Sequence, residues 1–319
     1  MENTLLVALS RQMSLERQID IIANNVANTN TNGFKASKSL FEELFERTAK
    51  TNRATLRRQL GKEGLFRLGV PRSLGGHGGT KEDVVRAVAV VAKRHPKSGV
   101  LLASQRLLIE VLLQAENIGV MEYQLPDLLD GHIGGNCASS WPNETAVSLA
   151  DARDTGRGWR MSGRFPALPN LDRNWFVVAV PVAFGTGKPY SMVLLKSEED
   201  GIVQRDEASH GCSGIALELR NVFLREDEIL FSDGKSAAER LTVLSESMKA
   251  ALVAGALRRA VNNVENNSLV SAIDNHLAAA ARVAAQGRFD RGPRVAFEQL
   301  LASLQGASAC VLSTGMAVA

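Results

Sequence analysis

From Trp175 to Val182 the chain is apolar without interruption. A run of this length, bounded by turn signals, is the pattern of a buried strand. Around it lie further short runs separated by turn residues: Trp159–Phe165, Asn174–Phe184, Tyr190–Leu195, Gly201–Glu207 and Ala216–Leu224. The chain changes character after Gly131 and again after Gly234, and between those points it reads as a compact set of strands.

Both flanks are helical in period. Leu5, Leu9 and Met13 recur at fours, and Leu15, Ile19, Ile22 and Val26 at fours and threes. This first helix runs into Asn28-Thr29-Asn30-Thr31-Asn32-Gly33, a strong stop because Asn and Thr side chains compete for backbone hydrogen bonds. Phe34 restarts the chain as an extended segment. A second helix is expected from about Ser39 through Leu60, ending near Gly61, and further ones over Lys81–Lys93 and Val100–Asn117. Beyond Gly234 the expectation is helix over Ala237–Val264 and Leu269–Gln286, with a last one from Val295. Helices, then strands, then helices is neither alternating βαβ nor all-β. The expected class is α+β: an N-terminal helical domain, a middle antiparallel β-domain and a C-terminal helical bundle.

Composition narrows the function classes. Lys+Arg 37 against Asp+Glu 34 leaves a net charge of +3 over 319 residues, too little for a dedicated nucleic-acid or acidic-membrane binder. No apolar run reaches the length of a membrane helix, and the start lacks the pattern of a secretory signal, so the cytoplasm is the expected compartment. Cys137, Cys212 and Cys310 are far apart and form no CxxC pair, and no two histidines are four residues apart; neither a disulfide framework nor a metal site is expected. Charge is uneven along the chain. Arg47, Lys50, Arg53, Arg57, Arg58, Lys62, Arg67 and Arg72 face only Glu46 and Glu63 in their stretch, which reads as a solvated helix face and marks a junction.

Local chemistry is sparse. Gly75-Gly76-His77-Gly78-Gly79 fits neither GxGxxG nor the Walker pattern and reads as a tight turn between helices, with His77 an exposed polar residue. Without a G-x-S-x-G elbow there is no anchored nucleophile. Cys137 reads as a small buried residue, and Glu198-Glu199 and Asp227-Glu228 as solvated turn residues.

Two resemblances add to this reading. Leu9 through Lys35, with its core Ala23-Asn24-Asn25-Val26-Ala27-Asn28-x-x-Thr31-x-Gly33-Phe34, resembles the amino-terminal segment of bacterial flagellar basal-body rod proteins. The resemblance covers residues 1–45 and implies a helix that packs beside partner helices, with flagellar rod or export proteins as partners and the flagellar basal body as an alternative location. Residues 280–319 lack the carboxy-terminal rod helix of that family.

The second resemblance covers about 46–300 and is to the acyl-CoA dehydrogenase family. It is carried by Gly64-Leu65-Phe66-Arg67-Leu68-Gly69-Val70-Pro71, by Gly75-Gly76-His77-Gly78, and by Leu125-Pro126-x-Leu128-Leu129-x-Gly131. Gly158-Trp159-Arg160-Met161-Ser162-Gly163-Arg164, Asn221-Val222-x-Leu224 and Gly255-Ala256-Leu257-Arg258-Arg259-Ala260 extend it. Cys137-Ala138-Ser139-Ser140-Trp141-Pro142 sits where the family carries a Thr-Glu-Pro-Gly stretch against the flavin. Trp141 and Asn143 stand in place of the family's Glu and Gly, and Ala167-Leu168-Pro169-Asn170 in place of Trp-Ile-Thr-Asn. The resemblance implies FAD as cofactor, with Ser139, Ser140 and Trp141 beside it. Arg288, Phe289 and Gln299 resemble an Arg-Phe…Gln element that reaches flavin from a neighbouring subunit, which implies a homo-oligomer.

The implied organisation is a rod-type helix over 1–45, an N-terminal helical domain over 46–130, a β-domain over 131–233 and a partial helical bundle over 234–319. The implied activity is flavin-dependent dehydrogenation of an acyl-CoA-type substrate. No position matches the family's catalytic glutamate, so no catalytic residue is assigned. The alternative is a flagellar rod or export-associated structural protein carrying the rest of the chain as a passenger.

Overall fold

The computed structural model describes residues 53–138, 149–173, 175–185, 190–209, 212–260 and 267–286. Its first element, α1 (Arg53–Lys62), buries Leu56, Arg57, Leu60 and Gly61. The expected stop at Gly61 falls slightly later: the chain leaves the helix at Gly64, which takes φ 71°. Gly61 is needed for another reason. A Cβ there would stand 2.2 Å from the carbonyl oxygen of Asp130, so only glycine lets the helix lie against that turn.

Two short 3-10 turns, Leu65–Arg67 and Arg72–Leu74, lead into the glycine loop. The loop folds back on Leu68–Val70: Gly69 N–H donates to Gly78 O at 2.7 Å and Gly78 N–H to Val70 O at 2.9 Å. It is the tight interhelical turn that its sequence indicates, and His77 on it is exposed.

Helix α2 (Lys81–Arg94) starts at a reciprocal cap between Thr80 and Asp83. Helix α3 (Pro96–Leu113) begins earlier than its apolar period indicates. Pro96 occupies the first helical position, and the His95 ring accepts from Ser98 N–H. It also ends earlier, because Asn117 caps a separate helix, α4 (Ile118–Leu129), by accepting from Gly119 and Val120. That helix was hidden in the sequence by Pro126 inside it.

Among the described residues eight strands form one sheet: β1 (Gly134–Cys137), β2 (Ala150–Asp154), β3 (Trp159–Leu168), β4 (Phe176–Ala183), β5 (Ser191–Lys196), β6 (Ile202–Ser209), β7 (Cys212–Leu224) and β8 (Ile229–Phe231). The order is β6-β7-β3-β2-β4-β5-β8, with β1 also paired to β4. Most pairs are antiparallel, as expected. The exceptions are β1 and β2, which both run parallel to β4, one at each end of it. The five anticipated runs all become strands. Three were not anticipated: β1 is rich in glycine, β2 (Ala-Asp-Ala-Arg-Asp) is charged, and β8 spans only Ile229–Phe231.

The continuous apolar character of β4 follows from its position between two cores. Phe176, Val178, Val180 and Val182 point into a cluster with Met161, Phe165 and Leu217 on one face of the sheet. Val177 and Ala179 point the other way, into a cluster shared with the helices. β5 alternates in the same manner, Val193 and Leu195 to one side, Met192 and Leu194 to the other. Trp175 is the correction to this reading: it precedes the strand and is exposed.

Helix α5 (Gly234–Ala260) packs against α2 and α3, and α6 (Asn267–Gln286) against α5 and α2. The α2–α5 crossing is close: a Cβ on Gly255 would lie 2.4 Å from Ala89 O. Among the described residues no helix is long and apolar enough to cross a membrane.

Candidate functional site

The residues assigned to flavin from the sequence, Ser139, Ser140, Trp141, Arg288, Phe289 and Gln299, lie outside the described residues. What is described is the platform that leads to the first three of them, and it is built around β1.

β1 is enclosed on all sides and glycine makes this feasible. A Cβ on Gly135 would stand 2.7 Å from side-chain carbons of both Leu108 and Leu128, and one on Gly134 would stand 2.3 Å from Asn170 O. One edge of β1 pairs with β4 from Gly134↔Phe176 to Cys137↔Ala179. The other edge meets side chains instead of a strand. Gln105, from the middle of α3, accepts at Oε1 from Gly135 N–H at 2.7 Å, and Asn170, just past β3, donates from Nδ2 to Gly135 O at 3.0 Å.

Gln105 is saturated by this arrangement. Its Oε1 also accepts from Asn170 Nδ2 at 2.6 Å, and its Nε2 donates to Leu128 O at 2.9 Å and Ile133 O at 3.0 Å. A buried side-chain amide can be tolerated only when its groups are paired in this way. Gln105 therefore ties α3, the end of α4, β1 and the segment after β3 into one unit. Sequence reasoning missed it, since nothing in the Ser104-Gln105-Arg106 stretch distinguishes it from an exposed helix position.

Two arginines of the basic stretch hold the same region from α1. Arg53 Nη1 donates to Leu171 O at 2.9 Å. Arg57 is 1% exposed, pairs with Asp172 at 2.6 Å, and donates from Nε to Gly131 O. Burial pulls the Arg57 guanidinium below its usual pKa, partly offset by Asp172. The reading of this stretch as a solvated face thus fails for Arg53, Arg57 and also Arg67, which binds Asp130 and Gly75 O. Arg58, Lys62 and Arg72 are exposed as expected.

At its C-terminal end β1 presents Asn136 and Cys137, both buried. The sequence reading of Cys137 as a small core residue holds: it packs in the cluster shared by the helices and the sheet. Tyr190, immediately before β5, is half-buried, and burial with Cys137, Glu239 and Asp233 nearby raises its hydroxyl pKa. Asn170 Oδ1 is buried without a hydrogen-bond partner among the described residues, an acceptor with unused capacity. Glu198 is exposed as expected, but Glu199 is drawn in, accepts from Lys196 N–H at 2.9 Å, and burial pushes its carboxyl up to about 7.

A larger cleft of about 520 Å³ opens at the opposite end of β4. Trp159 and Phe184, edge to face at 5.0 Å between centroids, form one side, with Asp154, Ser191, Ile229 and Ser232 around them.

Comparison with known proteins gives two separate matches. Residues 5–35 match the flagella basal body rod protein family. The flagellar basal-body rod protein FlgF of Caulobacter vibrioides is 52% identical over 51 residues, covering 16% of this chain and 21% of that protein. FlgF of Mesorhizobium japonicum is 54% identical over 48 residues, 15% and 20% respectively. The chain thus spans about a fifth of the length of these curated relatives.

The second set of matches is to solved structures. A chain in the structure of the electron transferring flavoprotein of Acidaminococcus fermentans superposes with TM-score 0.67 at 15% identity, over 85% of this chain and 80% of that one. Glutaryl-coenzyme A dehydrogenase in complex with glutaryl-CoA gives 0.63 at 16%, over 85% and 76%. Butyryl-CoA dehydrogenase from Megasphaera elsdenii gives 0.59 at 16%, over 82% and 74%. At this identity the similarity is one of fold: the helix–sheet–helix arrangement is that of the acyl-CoA dehydrogenase-like flavoproteins.

Proposed function

We propose that the chain is a flavin-dependent oxidoreductase of the acyl-CoA dehydrogenase type, acting on a thioester of coenzyme A. The observation that carries this reading is β1. It is a short strand wrapped by α3, β4 and Asn170, and it leads in sequence to Ser139, Ser140 and Trp141, the residues that the sequence resemblance sets beside the flavin. FAD, when bound, would supply the hydride acceptor for the oxidation.

The protein's own contribution is position and dryness. Gln105 and Asn170 hold β1 rigidly, so the segment that follows it starts from a fixed point. Leu107 of α3 and Met248 of α5 help narrow the space beside that end of the strand to about 10 Å³. Asn170 Oδ1 fits as an acceptor for a ring N–H. Ser139, Ser140 and Trp141 are assigned to the flavin, and Arg288, Phe289 and Gln299 to the flavin of a second copy, which makes the working unit a homo-oligomer. The division of the chain at 45, 130 and 233 belongs to the same proposal. The test is anaerobic addition of butyryl-CoA to the flavin-loaded chain: bleaching of the visible flavin bands supports the activity, and unchanged bands refute it for that substrate.

Residues 5–35 favour a second reading. In it residues 1–45 engage flagellar rod or export proteins and place the chain at the basal body. Deleting residues 1–34 and assaying secretion in a flagellated host decides it: loss of export supports this reading and unchanged export ends it.

A further inference from the structure

At one end of the sheet two aromatic side chains stand well out of the body: Trp175 is 61% exposed and Tyr123 76%. Trp175 immediately precedes β4, and its carbonyl accepts from Gly134 N–H at 3.2 Å. Lys196 closes β5, pairs with Val177 of β4, and holds Nζ 5.9 Å from the centre of the Tyr123 ring. Both rings therefore mark the end of the sheet where β4 starts and β5 stops. Each leaves most of its surface in water, against the strong tendency of aromatic side chains to bury.

The described body begins at this same end. Arg53, its first residue, donates to Leu171 O at 2.9 Å, and Arg57 one turn on reaches Asp172, Gly131 O and His132 O. Leu171 and Asp172 lead on to Trp175, and Gly131 and His132 to the Gly134 that binds it. Residues 1–52 therefore join the body beside Trp175. Within them Leu5, Leu9 and Met13, and then Ile19, Ile22 and Val26, repeat at helical spacing. That is an apolar stripe in need of cover.

We propose that Trp175 and Tyr123 form an internal seat for residues 5–26 of this chain, whose apolar stripe lies against them. Size selects this occupant. Two rings offer far less than the roughly 1,000 Å² that a free partner or a second copy needs. A tethered segment does not need that area, because a short link supplies a local concentration in the millimolar range. About 26 residues separate Val26 from Arg53, and a coiled span of that length covers roughly 25–30 Å, enough to return to the patch. While docked, the stripe inside the rod-type segment is closed to rod proteins, so a rod partner has to displace the body. The inference stands apart from the flavin reading and holds whether or not flavin binds.

Hydroxyl-radical footprinting of the full chain, read by mass spectrometry, tests it. Oxidation of Trp175 and Tyr123 is expected to rise about fivefold or more in the double variant Leu9→Asp/Ile19→Asp. Oxidation of Trp159, packed against Phe184, is expected to stay the same and serves as the reference. In the reverse direction, Trp175→Ala is expected to speed tryptic cleavage after Arg11 and Arg17 by a similar factor. Its folding is checked by thermal melt, and Tyr123→Ala replaces it if that chain fails to fold. Equal oxidation of the two rings in both chains overturns the seat, whether they are open in both or covered in both by residues 36–52. Protection that is lost on dilution assigns the cover to a second copy and overturns it as well. Unchanged cleavage in the folded alanine variant does the same.

Discussion

Arg57 Nη1 lies 2.6 Å from Asp172 Oδ2, and this pair joins the first described helix to the turn that follows β3. The two residues are far apart in sequence and differ in exposure, 1% for Arg57 against 22% for Asp172. The arginine is the buried partner, and it also donates to Gly131 O and His132 O. It therefore fixes both ends of the platform from which β1 is suspended.

Removal of that arginine is expected to destabilise the whole unit. Arg57→Ala leaves Asp172 partly buried without its cation and strips two carbonyls of their donor. The expected loss is about 2–4 kcal/mol, at the lower side of the cost for breaking a buried pair because Asp172 retains some water. Urea unfolding of the purified variant measures it; a loss of under about 0.5 kcal/mol, the level of an ordinary surface change, would contradict the role assigned here.

Gln105 gives a second, independent test. Gln105→Leu preserves size but leaves Gly135 N–H and one Asn170 N–H without an acceptor inside the protein. A cost of about 2–3 kcal/mol is expected. Hydrogen exchange should show the effect locally, with faster exchange at Gly135 than in the β6–β7 pair. Unchanged protection at Gly135 would mean that the strand is held by β4 alone.

Steric closure around the same strand predicts that Gly135→Ala is poorly tolerated. The added methyl would meet Leu108 and Leu128 at 2.7 Å, and overpacking of this kind costs about 1–3 kcal/mol. Thermal melts of this variant beside Gly156→Ala separate crowding from conformation. Gly156 has open space around it but takes φ 77°, so its cost comes from backbone strain alone.

How far the sequence reveals this arrangement depends on where each element's determinants lie. β4 is legible because its own residues carry the pattern: strands covered on both faces must be apolar throughout. β1 is not, because Gly134-Gly135-Asn136-Cys137 has no strand-forming composition and is held by Gln105 and Asn170, partners remote in the chain. The inward turn of Arg57 is hidden for the same reason, since Asp172 completes it. α4 is masked by Pro126. Ser139, Ser140 and Trp141 are proposed as flavin residues on motif resemblance alone, and the structure describes the strand that precedes them and the amide of Asn170 beside it.

Glu63 supplies a pH dependence with a defined sign. It is buried at the end of α1 beside Gln59 and Arg94, and burial pushes its carboxyl up to about 7. In the unfolded chain the group returns to about 4.3. A raised carboxyl favours folding most below the unfolded value, where both states hold the proton. Between roughly pH 4.3 and 7 the unfolded chain loses its proton first, so this contribution to stability declines with rising pH and levels off above 7. Glu63→Gln should therefore stabilise the protein near pH 8, by on the order of 2 kcal/mol, and have little effect near pH 4. A stabilisation that is equal at both pH values would show that ionisation is not the cause.

The central claim is that β1 and the segment it leads to form one wall of a flavin site. The direct measurement is titration of the purified, full-length chain with FAD, followed by quenching of flavin fluorescence and by retention of the visible bands after gel filtration. The account predicts saturable binding that co-elutes with the protein and is weakened by Trp141→Ala. Flavin that stays fully fluorescent and separates completely from the folded chain would contradict it.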